Sequence, residues 1–154
     1  MSELTIVEAP HSFPATPPAL VGQMRALRDL LIGKEPVDVQ TDHLIHAGMY
    51  VRTVRIPPGM MVAGVLIKRA TVLIIAGSVS AVAGDAVVRL GDYNVIEGSA
   101  GRMPMYVTHS WVAMSMMFPT AAKTVEEAEA EFTDEGDRLL SRRQDANTVR
   151  ITGE

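Results

Sequence analysis

The chain has 154 residues, a length that fits one domain with short appendages. Its composition is 47% hydrophobic and 21% charged with a formal net charge of −4, so it lacks the basic surplus of nucleic-acid-binding proteins. Cysteine is absent, which excludes a disulfide framework and a thiolate metal site. No apolar run is long enough for a membrane span and no signal-peptide pattern is present, so we expect synthesis in the cytoplasm and no membrane partner.

The first 36 residues are predicted to form an arm and a helix. Residues 1–15 carry scattered prolines among small and polar residues and indicate an extended arm. Thr16 suits a helix N-cap, Pro17 the first helical position, and Gly33 the end of the helix. The apolar stripe at helical spacing consists of Leu20, Met24, Leu27 and Leu31. The residues expected on or beside the solvent-facing side are Arg25, Arg28 and Asp29.

Residues 37–119 are predicted to form a barrel. Short segments rich in Val, Ile and Thr alternate with turn signals such as Pro57-Pro58-Gly59 and Gly84-Asp85. The eight predicted strands are Met49–Ile56, Met61–Ile67, Thr71–Ile75, Ser78–Ala83, Ala86–Leu90, Asn94–Glu97, Met103–Val107 and Trp111–Phe118. Their regular spacing favours an all-β antiparallel sandwich or barrel over a parallel sheet with crossover helices.

Residues 120–154 are predicted to form a helical tail. Thr124 and Glu127 make a capping box at the start of its first helix. The apolar edge of this helix consists of Val125, Ala128 and Phe132, and its acidic residues are assigned mostly to a solvated face. Gly136 is expected to separate it from a short second helix at 137–143, and residues 145–154 are expected to be loose.

From about His43 to Glu131 the sequence resembles a small cupin-like family that recurs in tailed-bacteriophage genomes. The matching segments are 48–53, 56–59 (Ile-Pro-Pro-Gly), 64–68, 73–80 with Val82, Gly101-Arg102, Trp111 and the acidic helix after Lys123. The resemblance implies a cupin-like jelly roll of about eight strands. Metal-binding cupins use histidine and carboxylate ligands, which hold the metal and leave positions open for a substrate. Alignment on Gly59 places Val65, Ile67, Thr71 and Met105 at those positions, so no metal and no cofactor are predicted.

The remaining histidines give weak signals for chemistry. His43 and His46 are three residues apart, a spacing that puts them on opposite faces of a strand. His109 precedes Trp111 at a predicted turn, where no nucleophile or orienting partner is recognisable in the sequence, and His11 lies in the arm. Hydrogen-bonded or solvated roles are therefore preferred over metal binding or catalysis.

Methionines concentrate on the strands expected to line the barrel. They are Met60, Met61, Met103, Met105, Met114, Met116 and Met117. Core packing is the first interpretation, and contact with a partner or binding of Cu(I) by thioethers are the alternatives.

A residual pocket is predicted from four residues, and catalytic residues are not. The four are Lys68, Arg102, His109 and Trp111. Lys68 and Arg102 match polar positions beside the lost metal site and are interpreted as rim charges with aliphatic stems on the barrel, or alternatively as ligands of an anion. Trp111 is expected to anchor the core or an interface. Arg52 and Arg55 should face opposite ways and make no anion clamp.

Two functions are compatible with this pattern. The resemblance and the terminal elements favour a non-enzymatic structural component of a phage virion, in capsid decoration, head–tail joining or tail-fibre attachment. Such a protein is expected to be a homo-oligomer, to contact other virion proteins and to reside in the virion. The alternative is a small-molecule-binding or enzymatic cupin with a relocated or metal-free site built from His43, His46, His109, Lys68 and Arg102.

Overall fold

The computed structural model describes residues 12–31, 34, 39–143 and 146–154. Within them the strands are β1 (Ser12–Phe13), β2 (Gln40–His46), β3 (Met49–Ile56), β4 (Met61–Ala63), β5 (Thr71–Ala76), β6 (Val79–Ala83), β7 (Ala86–Leu90), β8 (Tyr93–Gly98), β9 (Met105–Thr108), β10 (Val112–Pro119) and β11 (Asn147–Ile151). The helices are α1 (Pro18–Leu31), α2 (Val125–Phe132), a 3₁₀ turn (Gly136–Arg138) and α3 (Leu140–Arg143).

Two sheets pack face to face and form the core between them. The larger sheet has the order β1-β8-β5-β10-β3-β2-β11, and the smaller has the order β4-β9-β6-β7. Side chains alternate along the strands: Leu73 and Ile75 of β5 are buried, whereas Val72 is exposed on the outer face. The predicted all-β jelly-roll barrel with helical appendages is confirmed. No helix in the described part of the chain is long and apolar enough to cross a membrane.

Both flanking segments add strands to the larger sheet. β1 pairs in parallel with β8, and β11 pairs in parallel with β2. The expectation that residues 145–154 are loose is therefore wrong for Asn147–Ile151. The division at 36/37 and 119/120 stays a prediction, and Pro10, His11 and Gly33 lie outside the described residues.

α2 packs against the barrel through an aromatic cluster. Phe132 lies 6.3 Å from Tyr50 and 6.0 Å from Phe118 between ring centroids, and all three rings are fully buried. The predicted capping box is confirmed at the N-cap, because Thr124 Oγ1 accepts the N–H of Glu127 at 3.2 Å. The Glu127 carboxylate reaches back to the N–H of Lys123.

Two strand predictions need correction. The predicted strand Met61–Ile67 ends at Ala63: Gly64 still donates its N–H to the carbonyl of Pro104 at 2.9 Å, but proline has no N–H with which to continue the ladder. A Cβ atom at position 64 would lie 2.7 Å from Pro104 Cγ, so glycine permits this close approach. β2 was not predicted, and it places His43 and His46 within a strand.

The start and the solvent face of α1 also differ from the sequence interpretation. The first helical residue is Pro18, and Thr16 accepts the N–H of Met103 through its hydroxyl at 2.8 Å, which ties the helix start to the barrel. Arg28 is buried, against expectation, and lies 3.1 Å from the carboxylate of Glu135. This ion pair connects α1 to the segment after α2.

Candidate ligand-binding cavity

A cavity of about 130 Å³, partly open to solvent, lies between the two sheets. Its wall is mainly apolar and includes Val65, Ile67, Leu73, Met114 and Met116. Side chains of the segment that follows α2, including Leu139 and Leu140, complete the wall at one end. Apolar side chains in a protein are normally close-packed, so an apolar concavity of this size is a feature to be explained.

Three arginines line this apolar cavity, and two of them have carboxylate partners. Arg52 of β3 is buried and lies 3.2 Å from Glu129, and Arg138 lies 3.2 Å from Asp29. Glu129 is itself buried on α2 and also accepts hydrogen bonds from Ser141 and Arg142, each at 3.1 Å. Glu129 is therefore the exception to the mostly solvated acidic face expected for this helix, on which Glu126 and Glu127 are exposed.

Arg102 is the third arginine, and its surroundings differ. It is 4% exposed, and its guanidinium donates to the carbonyl of Ser99 at 3.0 Å and to Thr71 Oγ1 at 2.6 Å. Its Nε has no hydrogen-bond partner, and no carboxylate among the described residues forms an ion pair with it. Burial lowers the pKa of Arg102 below its ordinary value. The rim-charge interpretation is wrong for this residue.

Tyr106 of β9 lies beside Arg102 in the cavity wall. Burial raises the pKa of its phenol to about 12, an effect that the nearby Arg102 charge partly opposes. The hydroxyl is therefore protonated at neutral pH and cannot serve there as a base.

The other members of the predicted residual pocket do not line this cavity. Lys68 lies 2.7 Å from Asp134 and is partly exposed, as expected of a rim charge. Trp111 is 62% exposed, which rules out a core role. His109 lies at the predicted turn between β9 and β10, and its Nε2 is 2.7 Å from Ser80 Oγ on the exposed side of the smaller sheet.

His43 and His46 lie apart from the cavity and face opposite ways, as their spacing predicts. His43 is buried, with Nδ1 2.7 Å from the Tyr50 hydroxyl and Nε2 3.1 Å from Asn147 Oδ1. His46 contacts Thr152 at the other face of β2. Both therefore have hydrogen-bonded roles, as expected.

The remaining arginine prediction is confirmed, and the methionine prediction is confirmed for part of the set. Arg52 points inward and Arg55 forms an ion pair with Asp42 on the outer face, so they make no clamp. Met103, Met114 and Met116 are buried, which confirms core packing for these three. Met61 is 46% exposed and does not belong to the core.

No protein-family model and no curated protein match the sequence. Solved structures are similar at low identity. A cupin-2 domain containing protein from Shewanella frigidimarina NCIMB 400 is 12% identical over 49% of this chain and 74% of its own, with a TM-score of 0.39. A Cupin 2 conserved barrel domain protein from Salinispora arenicola CNS-205 is 14% identical over 58% of this chain and 85% of its own, with a TM-score of 0.45. The fold itself, two packed sheets of seven and four strands, is a jelly-roll-like sandwich.

A larger enzyme is also among the similar structures. Salicylate 1,2-dioxygenase from Pseudoaminobacter salicylatoxidans, in adducts with gentisate, is 14% identical with a TM-score of 0.43. The match covers 86% of this chain and 40% of the dioxygenase.

The residues of the barrel do not fit the metal that the sequence resemblance to cupins implies. Val65 and Ile67 line the cavity at positions where the resemblance places histidines, and the Thr71 hydroxyl is occupied by Arg102. Over residues 12–31, 34, 39–143 and 146–154, no three His, Cys, Asp or Glu side chains are grouped so that they could hold a metal ion. Apolar walls and a guanidinium supply no lone pairs for coordination.

Proposed function

We propose that this protein is a non-enzymatic cupin-like barrel that binds a small, mainly apolar molecule. The observation that carries the proposal is the cavity of about 130 Å³ lined by aliphatic side chains and methionines. Concave, largely apolar sites with a few polar groups are typical of small-molecule binding. A ligand in this cavity gains dispersion contacts with the apolar wall and removes apolar surface from water.

The chemistry of the wall favours binding over catalysis. Its ionisable side chains are Arg52, Arg102 and Arg138, with Tyr106 as a protonated phenol. None of these supplies a general base or an activated nucleophile at neutral pH. The Ser80–His109 pair lies outside the cavity on an exposed surface, and no carboxylate in the described part of the chain orients its imidazole by a hydrogen bond.

A cavity-filling substitution tests this function. Val65→Phe places a ring in the cavity, and Val87→Phe makes the same change at an exposed position of β7. We expect ring-sized probes such as benzyl alcohol to raise the melting temperature of the wild type and of Val87→Phe. The melting temperature of Val65→Phe should not change when the probe is added. Equal responses of the two variants would refute binding in the cavity.

A second proposal keeps the phage virion role. It is favoured by the outer face of the larger sheet, where Val72, Tyr93 and Val95 are 45%, 64% and 56% exposed. Exposed apolar rows of this kind suit contact with another copy or another virion protein. Native mass spectrometry would report the oligomeric state. Mass spectrometry of washed phage particles should detect the protein, and its absence from the particles would end this proposal.

A further inference from the structure

We propose that the cavity selects a small monocarboxylic acid, with Arg102 binding the carboxylate and the apolar wall holding a body about the size of a benzene ring. This inference rests on the binding function proposed above. It adds the charge and the size class of the ligand.

The backbone fixes Arg102 in the cavity wall. Arg102 forms an isolated bridge with Ile67: its carbonyl accepts the N–H of Ile67 at 2.8 Å, and the Ile67 carbonyl accepts the N–H of Gly101 at 2.7 Å. Gly98 leaves space for the guanidinium, since a Cβ atom there would lie 2.6 Å from Arg102 Cζ. The side chain is therefore preorganised in a buried position, as a ligand-binding group must be.

The guanidinium is incompletely satisfied in this position. Neutral acceptors at Ser99 and Thr71 take two of its hydrogen bonds, and the thioether of Met116 is a weak third at 3.7 Å. Nε is buried without a partner among the described residues. Buried polar groups are nearly always hydrogen-bonded and buried charges are nearly always paired, so this guanidinium, which belongs to a side chain that lines the cavity, has donors left for a further acceptor.

The balance of charge in the cavity indicates one negative charge on the ligand. Arg52 and Arg138 lie close to Glu129 and Asp29, which leaves Arg102 as the lining cation without an ion pair in the described part of the chain. A carboxylate carries one charge and accepts from guanidinium with matching planar geometry. A phosphate dianion would bring a second charge and more acceptors than this apolar wall satisfies.

The size of the cavity limits the rest of the molecule. An apolar cavity of roughly 150 Å³ in another protein holds benzene, and the cavity here has about 130 Å³. A neighbouring cavity of about 30 Å³ shares Val62, Ala63 and Leu140 with it and is also lined by Lys34 and Arg143. Basic side chains beside the main cavity attract anions.

Three ring-sized probes that differ in charge provide the test. Calorimetric titration of the full-length protein compares benzoate, benzyl alcohol and benzylamine. We expect benzoate to bind at least tenfold more tightly than benzyl alcohol, and benzylamine to bind weakest. Arg102→Met should remove the preference for benzoate over benzyl alcohol, whereas Arg102→Lys should retain part of it. Arg89→Met, at an exposed position of β7, is the matched control and should behave as wild type.

The outcomes separate this inference from the proposed function. Equal affinity of the wild type for benzoate and the alcohol, or an undiminished preference in Arg102→Met, would overturn the carboxylate assignment while binding in the cavity stands. If the wild type binds neither benzoate nor benzyl alcohol more tightly than Val65→Phe does, the proposed function fails as well. The comparison of the three probes on the wild type needs no variant, so it decides the inference even if Arg102→Met fails to fold.

Discussion

Glu129 is expected to stabilise the fold by compensating the buried charge of Arg52, and Glu129→Gln tests this. The carboxylate is 3% exposed in its side chain and lies 3.2 Å from Arg52, whose side chain is 8% exposed. Removing one partner of a buried ion pair costs about 3–5 kcal/mol because the other charge stays buried. The contact to Arg142 adds little, since that side chain is 39% exposed and its charge remains hydrated.

We expect Glu129→Gln to lower the free energy of unfolding by about 3 kcal/mol, at the low end because glutamine retains an acceptor. For a domain of this size the loss corresponds to roughly 6–12 °C in melting temperature. Urea titration measures it, with the slope checked against wild type. Glu126→Gln, on the exposed face of the same helix, should cost less than about 1 kcal/mol. A loss below about 1 kcal/mol in Glu129→Gln would refute the reasoning.

Two further predictions concern a buried histidine and a turn glycine. Burial lowers the pKa of His43, so as the pH falls the unfolded chain binds a proton at a higher pH than the folded protein does. The contribution of neutral His43 to stability should therefore be complete above about pH 6.5 and fall as the pH drops towards the folded-state pKa. Urea midpoints between pH 7.5 and 5 should show this fall, and His43→Gln should lessen it whereas His109→Gln should not. At Gly77, φ is +122° and a Cβ atom would lie 2.4 Å from the carbonyl oxygen of Trp111, so Gly77→Ala should cost more than about 2 kcal/mol. Gly91→Ala, in open space, is its control; equal melting temperatures would contradict the strain.

Local patterns in the sequence predict the strands that have strong local signals. Turn residues bound Met49–Ile56 and Ala86–Leu90, and both strands have the predicted limits. β2 and β11 were missed for a different reason. β2 alternates polar and apolar side chains and buries Thr41 and His43, while β11 is exposed and pairs in parallel with a strand more than a hundred residues earlier. Such a pairing depends on tertiary contact and leaves no local signal.

The candidate site was predicted only in part, because burial of a charge cannot be read from its neighbours in the sequence. Lys68 and Arg102 occupy similar polar positions in the resemblance, yet Lys68 is a partly exposed rim charge and Arg102 is buried. The difference arises from Gly98, which leaves room for the guanidinium, and from the bridge to Ile67. His109 contacts Ser80 because the register of β6 and β9 brings the two residues together, and the sequence did not indicate this contact.

The buried arginines of the cavity differ in what compensates them, and this difference separates structure from function. Arg52 is paired with a carboxylate of the protein itself, so removing that carboxylate should destabilise the ligand-free protein. Arg102 has only neutral acceptors, so its replacement by methionine should leave the melting temperature of the ligand-free protein unchanged or raise it. An evolved chain that keeps an uncompensated charge in an apolar wall gives up stability at that position. In our proposal a molecule that enters the cavity supplies this compensation, which is the reason to assign Arg102 to the ligand and Arg52 to the fold.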